Sequence, residues 1–250
     1  MREIVAAPVA GLDLRREYGH HQSPAIRAGG LVFCSGMVAV DPATGERRHG
    51  TVTSETRRIF ENLKTLLEAA GSSLDRLVQV HAMIYDRIEY DVLNRAYRPY
   101  VASPPARTVM SVQIEAGFKV MLDVTAAAHD RPERGAGSPR QVIGPRQPHQ
   151  SAAVRAGDFV FLSGLTAAER GTVAAETRQV LTDMAELLDM AGSSLAKIVK
   201  VNVLIYSMLE YGNMNDVYRA FFPADPPART VCGAGLIGGR KVAIDCIALA

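Results

Sequence analysis

This sequence contains the same pattern twice, and that duplication constrains the fold more than any other feature. Glu55-Thr56-Arg57 returns as Glu176-Thr177-Arg178, and Ala70-Gly71-Ser72-Ser73-Leu74 returns as Ala191-Gly192-Ser193-Ser194-Leu195. Ile84-Tyr85 returns as Ile205-Tyr206, at the same offset of 121 residues (84 to 205). Pro104-Pro105-Ala106-Arg107-Thr108-Val109 returns as Pro226-Pro227-Ala228-Arg229-Thr230-Val231, at an offset of 122 (104 to 226). Nearer the start the offset is 128: His21-Gln22-Ser23 matches His149-Gln150-Ser151, and Ser35-Gly36 matches Ser163-Gly164. The first copy therefore carries seven extra residues, which fall in a turn-rich Asp41-Pro42-Ala43-Thr44-Gly45-Glu46 tip. A period this long is a whole small domain, not a solenoid unit. The expected organisation is domain 1 over 1–129, a Pro-, Gly- and Arg-rich linker over 130–145, and domain 2 over 146–250.

Each copy shows the same order of elements. Leu31–Cys34 and Phe159–Leu162 read as strands ending at Ser-Gly. A helix follows: Ile59, Leu63, Leu66, Leu67 and Ala70 share one face, as do Val180, Met184, Leu187, Leu188 and Ala191. Ser54 is the expected N-cap, and Gly71 and Gly192 are the expected helix stops. Leu77–Tyr85 and Ile198–Tyr206 alternate as strands. A shorter helix with Tyr90, Asn94 and Tyr97 is matched by Tyr211, Asn215 and Tyr218. Two strand-like runs close each copy. The fold class is α+β, two tandem ββαβαββ domains, each a mixed sheet with two helices on one face. Val109 and Val120 are expected on the other face, which then needs a second sheet against it.

Composition excludes several classes. Apolar residues make up 48% and charged residues 22%, as in ordinary globular domains. Lys and Arg number 28 against 26 acidic residues, a net charge of +2 without a basic block, which argues against nucleic acid as partner. No apolar run reaches the roughly 20 residues of a membrane helix, and the N-terminus does not read as a signal peptide, so a cytoplasmic setting without membrane contact is expected. Cys34, Cys232 and Cys246 are scattered, and no His/Cys/Asp cluster has ligand spacing; no metal is expected. No GxGxxG or P-loop signals an organic cofactor, so none is expected.

Taken in order and in duplicate, the strand ending in Ser-Gly, the Asp-Pro-Ala-Thr-Gly-Glu tip, the Ala-Gly helix ends, Asn94 and Asn215, and the two Pro-Ala-Arg runs resemble the Rid (YjgF/YER057c/UK114) family over nearly the whole chain. The resemblance implies a fold similar to bacterial chorismate mutase, with sheet-lined barrels of three domains and clefts between neighbours. Two domains per chain then imply a homotrimer of pseudo-hexameric shape. It also implies a metal-independent hydrolase or deaminase releasing ammonia from a small carboxylate-bearing enamine or imine, in amino-acid or amino-aromatic catabolism.

In that reading Arg107 and Arg229 grip the carboxylate, since guanidinium offers a charged planar fork; a structural ion pair is the alternative. Gly36 and Gly164 supply backbone amides, and Asn94 and Asn215 bind substrate or tie down a helix end. The sequence departs from the family twice. The water-positioning Glu of RidA-like deaminases is replaced by Met121 and Ala243, with Asp123 and Asp245 two residues on as structural partners of arginine or as replacement bases. The family's cleft Tyr is replaced by His21-Gln22 and His149-Gln150, so the candidate catalytic residues are His21 and His149, with Gln22 and Gln150 beside the substrate. The missing Glu leaves a non-catalytic metabolite-binding protein as the alternative.

Overall fold

The computed structural model describes residues 2–13, 22–129 and 140–250. In chain order these form β1 (Arg2–Val5), β2 (Ala25–Ala28), β3 (Leu31–Cys34), α1 (Val52–Ala69), β4 (Leu77–Ile84), α2 (Tyr90–Tyr97), β5 (Ala106–Ser111) and β6 (Val120–Ala127). The second copy repeats the order as β7 (Gln141–Gln147), β8 (Gln150–Ala156), β9 (Phe159–Leu162), α3 (Val173–Met190), β10 (Ile198–Ile205), α4 (Tyr211–Phe221), β11 (Ala228–Gly233) and β12 (Val242–Leu249). The class is α+β with a mixed sheet, as the sequence predicts. Each copy has one strand more than expected at its start, β1 and β7. The second begins at Gln141, inside the stretch read as linker.

The strand order is β1-β2-β3-β6-β4-β5 in the first copy and β7-β8-β9-β12-β10-β11 in the second. The two sheets join edge to edge: β5 meets β8 in parallel at Ala106 and Ser151. Within each copy the outermost pair, β4 with β5 and β10 with β11, is parallel, and the central pairs are antiparallel.

The long helices begin where a threonine caps them. Thr51 accepts from the Ser54 amide at 3.2 Å while Ser54 Oγ accepts from the Thr51 amide, a reciprocal capping box. Ser54 is thus the third helical residue and not the cap. Thr172 caps α3 in the same way, but its partner position holds Ala175, which cannot return the bond. Both helices stop at glycines with φ of +68° and +72°, Gly71 and Gly192. The duplicated Glu55 and Glu176 are buried, and each carboxylate ties a loop to a strand. Glu55 accepts from the amides of Gly50, Lys119 and Val120, and Glu176 from those of Gly171, Lys241 and Val242.

Each copy has its own core between helices and sheet. In the first, Ile59, Leu63, Leu66 and Leu67 meet Val80, Ala82, Val120 and Leu122; in the second, Val180, Met184 and Leu188 meet Val201, Val203, Val242 and Ile244. Val120 and Val109 belong to this helix side, against the sequence expectation. The alternation along β6 sends Val120, Leu122 and Val124 to the helices and Met121, Asp123 and Thr125 to the other face, which is the face the neighbouring copy approaches.

Candidate functional site

The seam between the copies is built by the edge of β5. Its backbone is engaged toward both ends: the Arg107 amide donates to Ser163 Oγ at 2.7 Å, and the Gly164 amide donates to the Arg107 carbonyl at 3.2 Å. The Ser151 amide donates to the Pro105 carbonyl at 2.9 Å and its hydroxyl to the Pro104 carbonyl at 2.7 Å. Farther along, Ser111 and Gly235 exchange two backbone bonds of 2.9 Å. Arg140 pins the start of the second copy onto the first, donating to the carbonyls of Leu77, Ser103 and Pro104. The duplicated glycine is needed here: a Cβ at Gly164 would lie 2.8 Å from Thr108 Cγ2. The Gly164 amide is therefore committed to the seam and bonds protein, not ligand.

The Arg107 side chain lies beneath this seam, 1% exposed. Its Nη2 donates to Asn94 Oδ1 at 2.7 Å and to Tyr90 Oη at 3.4 Å, and its guanidinium stacks over the Tyr97 ring at 4.7 Å. Asn94 thus aims the arginine. Nε and Nη1 are buried and have no hydrogen-bond partner. Burial lowers the proton affinity of the guanidinium, yet its ordinary value is so high that it stays charged. A buried cation with two unpartnered donors in one plane is costly unless an anion meets them, and a carboxylate matches that fork.

His149 enters from the second copy. Its ring meets Tyr90 edge to face at 6.3 Å, and its Nδ1 is buried without a partner. Burial, then the positive charges of Arg107 and Arg98, push its pKa down to about 4, so the imidazole is neutral at pH 7. The seam therefore brings together Arg107, Asn94, Tyr90 and Tyr97 of one copy with His149, Ser163 and Gly164 of the other. Gln150 starts β8 and pairs with Gln147. Ala243, at the place of the family Glu, is buried beside Leu204, Ala234 and Leu236, with Met110 and Val112 packed on them.

A second polar group crosses the seam. His81 Nε2 lies 3.2 Å from Asp245 Oδ2 and Nδ1 lies 3.8 Å from Asp123 Oδ2. Asp245, 1% exposed, also accepts from Thr108 Oγ1 at 2.8 Å and from Asn202 at 2.7 Å. Burial opposes the charge on His81, but the two carboxylates outweigh it and raise its pKa to about 10. Asp245 is thus held by His81, Thr108 and Asn202, and not by an arginine as the sequence suggested. Nothing in the sequence signals this pairing, because the two residues stand 164 positions apart.

The remaining candidates lie away from the seam. Arg229 repeats the arrangement of Arg107, donating to Asn215 at 2.9 Å and to Tyr211 at 3.0 Å and stacking over Tyr218 at 4.3 Å, but β11 is an open edge and Ala228 and Thr230 are exposed. Gly36 and Gln22 line an open cavity of ≈ 500 Å³ at the far end of the first copy, with Ser35, Met83, Met121 and Asp123. His21 falls outside the described residues. Among the described residues no group of His, Cys, Asp and Glu is arranged to hold a metal ion, and no helix is long and apolar enough to cross a membrane.

Comparison with known proteins agrees with the duplication. The endoribonuclease L-PSP family model matches residues 16–129 and again 140–250. The mitochondrial protein mmf2 of Schizosaccharomyces pombe is 40% identical over 105 residues, covering 38% of this chain and 83% of that protein. Reactive Intermediate Deaminase A, chloroplastic, of Arabidopsis thaliana is 35% identical over 106 residues, covering 39% of this chain and 57% of that protein. The crystal structure of RidA from the Antarctic bacterium Psychrobacter sp. PAMC 21119 is 31% identical with a TM-score of 0.41, covering 43% of this chain and 89% of that one.

Proposed function

The chain belongs to the endoribonuclease L-PSP family, the Rid group, and carries its domain twice; from that premise we propose that the seam cleft hydrolyses the C–N bond of a small carboxylate-bearing imine or enamine. The observation that carries this reading is the buried Arg107 with Nε and Nη1 free beside the neutral His149. The arginine fork takes the carboxylate and fixes the adjacent imine carbon. His149, with an open Nδ1, takes a proton from water as its oxygen bonds to that carbon. That proton passes to the nitrogen to give a carbinolamine; the remaining hydroxyl proton then follows it through the same imidazole, the C–N bond breaks, and ammonia leaves behind a carbonyl. The imidazole stands in for the family Glu, which Met121 and Ala243 cannot replace.

A second reading, binding without catalysis, draws on Ala243: the position of the family Glu is filled by apolar packing. Ammonia release from freshly generated 2-imino acids separates the two. Acceleration that is lost in Arg107→Ala and His149→Ala, and kept in Arg229→Ala, supports hydrolysis at the seam. No acceleration over buffer, with retained carboxylate binding to Arg107, supports the binding protein.

A further inference from the structure

The helix that aims Arg107 ends in a second arginine, and that arginine has no counter-charge. Tyr90, Asn94 and Arg98 stand at every fourth position, so they follow one another along one face of α2, about 6 Å per step. The backbone is still helical at Arg98, with φ of −49° and ψ of −42°, so the stripe is continuous. Tyr90 and Asn94 both touch the buried Arg107, and the stripe ends at Arg98, which is exposed. The charge of Arg98 reaches the cleft, lowering the proton affinity of both Arg107 and His149. Asp91 opposes it at His149, with the smallest effect of the groups around that ring.

A cation at the end of a helix is favourable by itself, because the last carbonyls point toward it. Arg219, at the same place in α4, is that case. Its side chain is 72% exposed and lies 3.5 Å from Asp216, one turn back on its own helix. In the first copy Arg95 stands where Asp216 stands in the second. Arg98 therefore has a like charge where Arg219 has a partner, and among the described residues it makes no ion pair. The other arginines around the seam are engaged. Arg140 donates to the carbonyls of Leu77 and Pro104, and Arg146 to that of Ala102 at 2.8 Å. The Arg146 bond also fixes the cleft wall: Pro148 and His149 form the tip of the β7–β8 hairpin, between Gln147 and Gln150, and Arg146 ties that hairpin to the segment after α2. The copy with the covered cleft is thus the copy whose outer arginine is left unpaired.

We propose that the seam cleft selects dianionic ligands, with one carboxylate on the Arg107 fork and a second, at the far end of the same small molecule, on Arg98. A carboxylate suits Arg98 because the planar guanidinium fork matches it, and because the carbonyl end of α2 offers no free amides to a phosphate. The proposal rests on the reading that Arg107 takes a carboxylate, and is independent of whether His149 is catalytic. The probes are stable 2-oxo acids, the kind of product the hydrolysis would leave, in two matched pairs: 2-oxopentanoate with 2-oxopentanedioate, and 2-oxohexanoate with 2-oxohexanedioate. In calorimetry wild type is expected to bind the dicarboxylate of at least one pair about tenfold more tightly than its monocarboxylate. Arg98→Gln should abolish that preference and leave monocarboxylate affinity within about twofold of wild type. Arg95→Asp, which gives Arg98 the partner that Arg219 has, should weaken the preference. Arg219→Gln should leave it intact, which separates a local contact from attraction to overall charge. Equal affinities within both pairs, a preference that survives Arg98→Gln or Arg95→Asp, or one lost equally in Arg219→Gln overturns the proposal and leaves Arg107 as a carboxylate site. Failure of all four acids to bind wild type overturns the carboxylate reading of Arg107 itself, and this proposal with it.

Discussion

Arg107 and Arg229 are held by the same three neighbours, an asparagine and two tyrosines, yet one is 1% exposed and the other lies at an open edge. The difference is made entirely by what lies across the strand edge. The local sequence of each copy builds an arginine aimed and stacked, and a second domain is what turns that arginine into a buried cation with donors to spare. The same holds on the acceptor side, where Asp245 is buried under the neighbouring copy and Asp123 keeps a side chain 46% exposed.

That contrast can be broken by substitution. The largest effect is expected at Asp245: removing it leaves protonated His81 buried beside Thr108 and Asn202, and Asp245→Ala should lower stability by about 3–5 kcal/mol. Asp123→Ala, at a screened pair, should cost no more than about 1 kcal/mol. Urea unfolding of both variants measures the gap, and equal losses would show that the seam does not distinguish the two carboxylates. Next comes the glycine pair. Gly164→Ala drives a methyl into Thr108 and should cost about 1–3 kcal/mol, while Gly36→Ala should stay within about 0.5 kcal/mol of wild type.

Ligand binding sharpens the comparison between the arginines. Asn94→Ala frees the Arg107 guanidinium from its buried, charge-assisted bond, worth about 1.5–3 kcal/mol. Carboxylate affinity by calorimetry should fall at least tenfold, and Asn215→Ala should leave the affinity at Arg107 unchanged.

The smallest effects are in pH. His81 has a pKa raised to about 10, so its contribution is complete below the ordinary histidine value of 6.5 and is lost as pH rises through 10. The melting temperature of wild type should therefore fall between pH 8 and 10.5 more than that of His81→Gln. His149, lowered to about 4, works in the opposite direction: its neutral state persists from pH 8 down toward pH 4, and its contribution to stability, complete above 6.5, is lost as pH falls from there through 4. Ammonia release should show no inflection near 6.5.

Much of this fold was legible in residue spacing. The helix faces, the glycine stops and the order of strands follow from apolar periodicity, and duplication made each assignment twice. What escaped was decided elsewhere. β1 and β7 carry too few apolar residues to announce themselves. Val109 and Val120 lie on the helix side, opposite to the sequence expectation, because a register slip of one residue inverts a strand and nothing local fixes that register. Arg107, Asn94 and His149 were legible as chemistry-bearing types. That the arginine of the first copy meets the histidine of the second is a fact of docking, and the pairing of His81 with Asp245 is legible only in space.

The seam has one consequence for dilution. Its two halves are tied by a single backbone, so their effective concentration does not fall with that of the protein, and the cleft over Arg107 is present once per chain at any dilution.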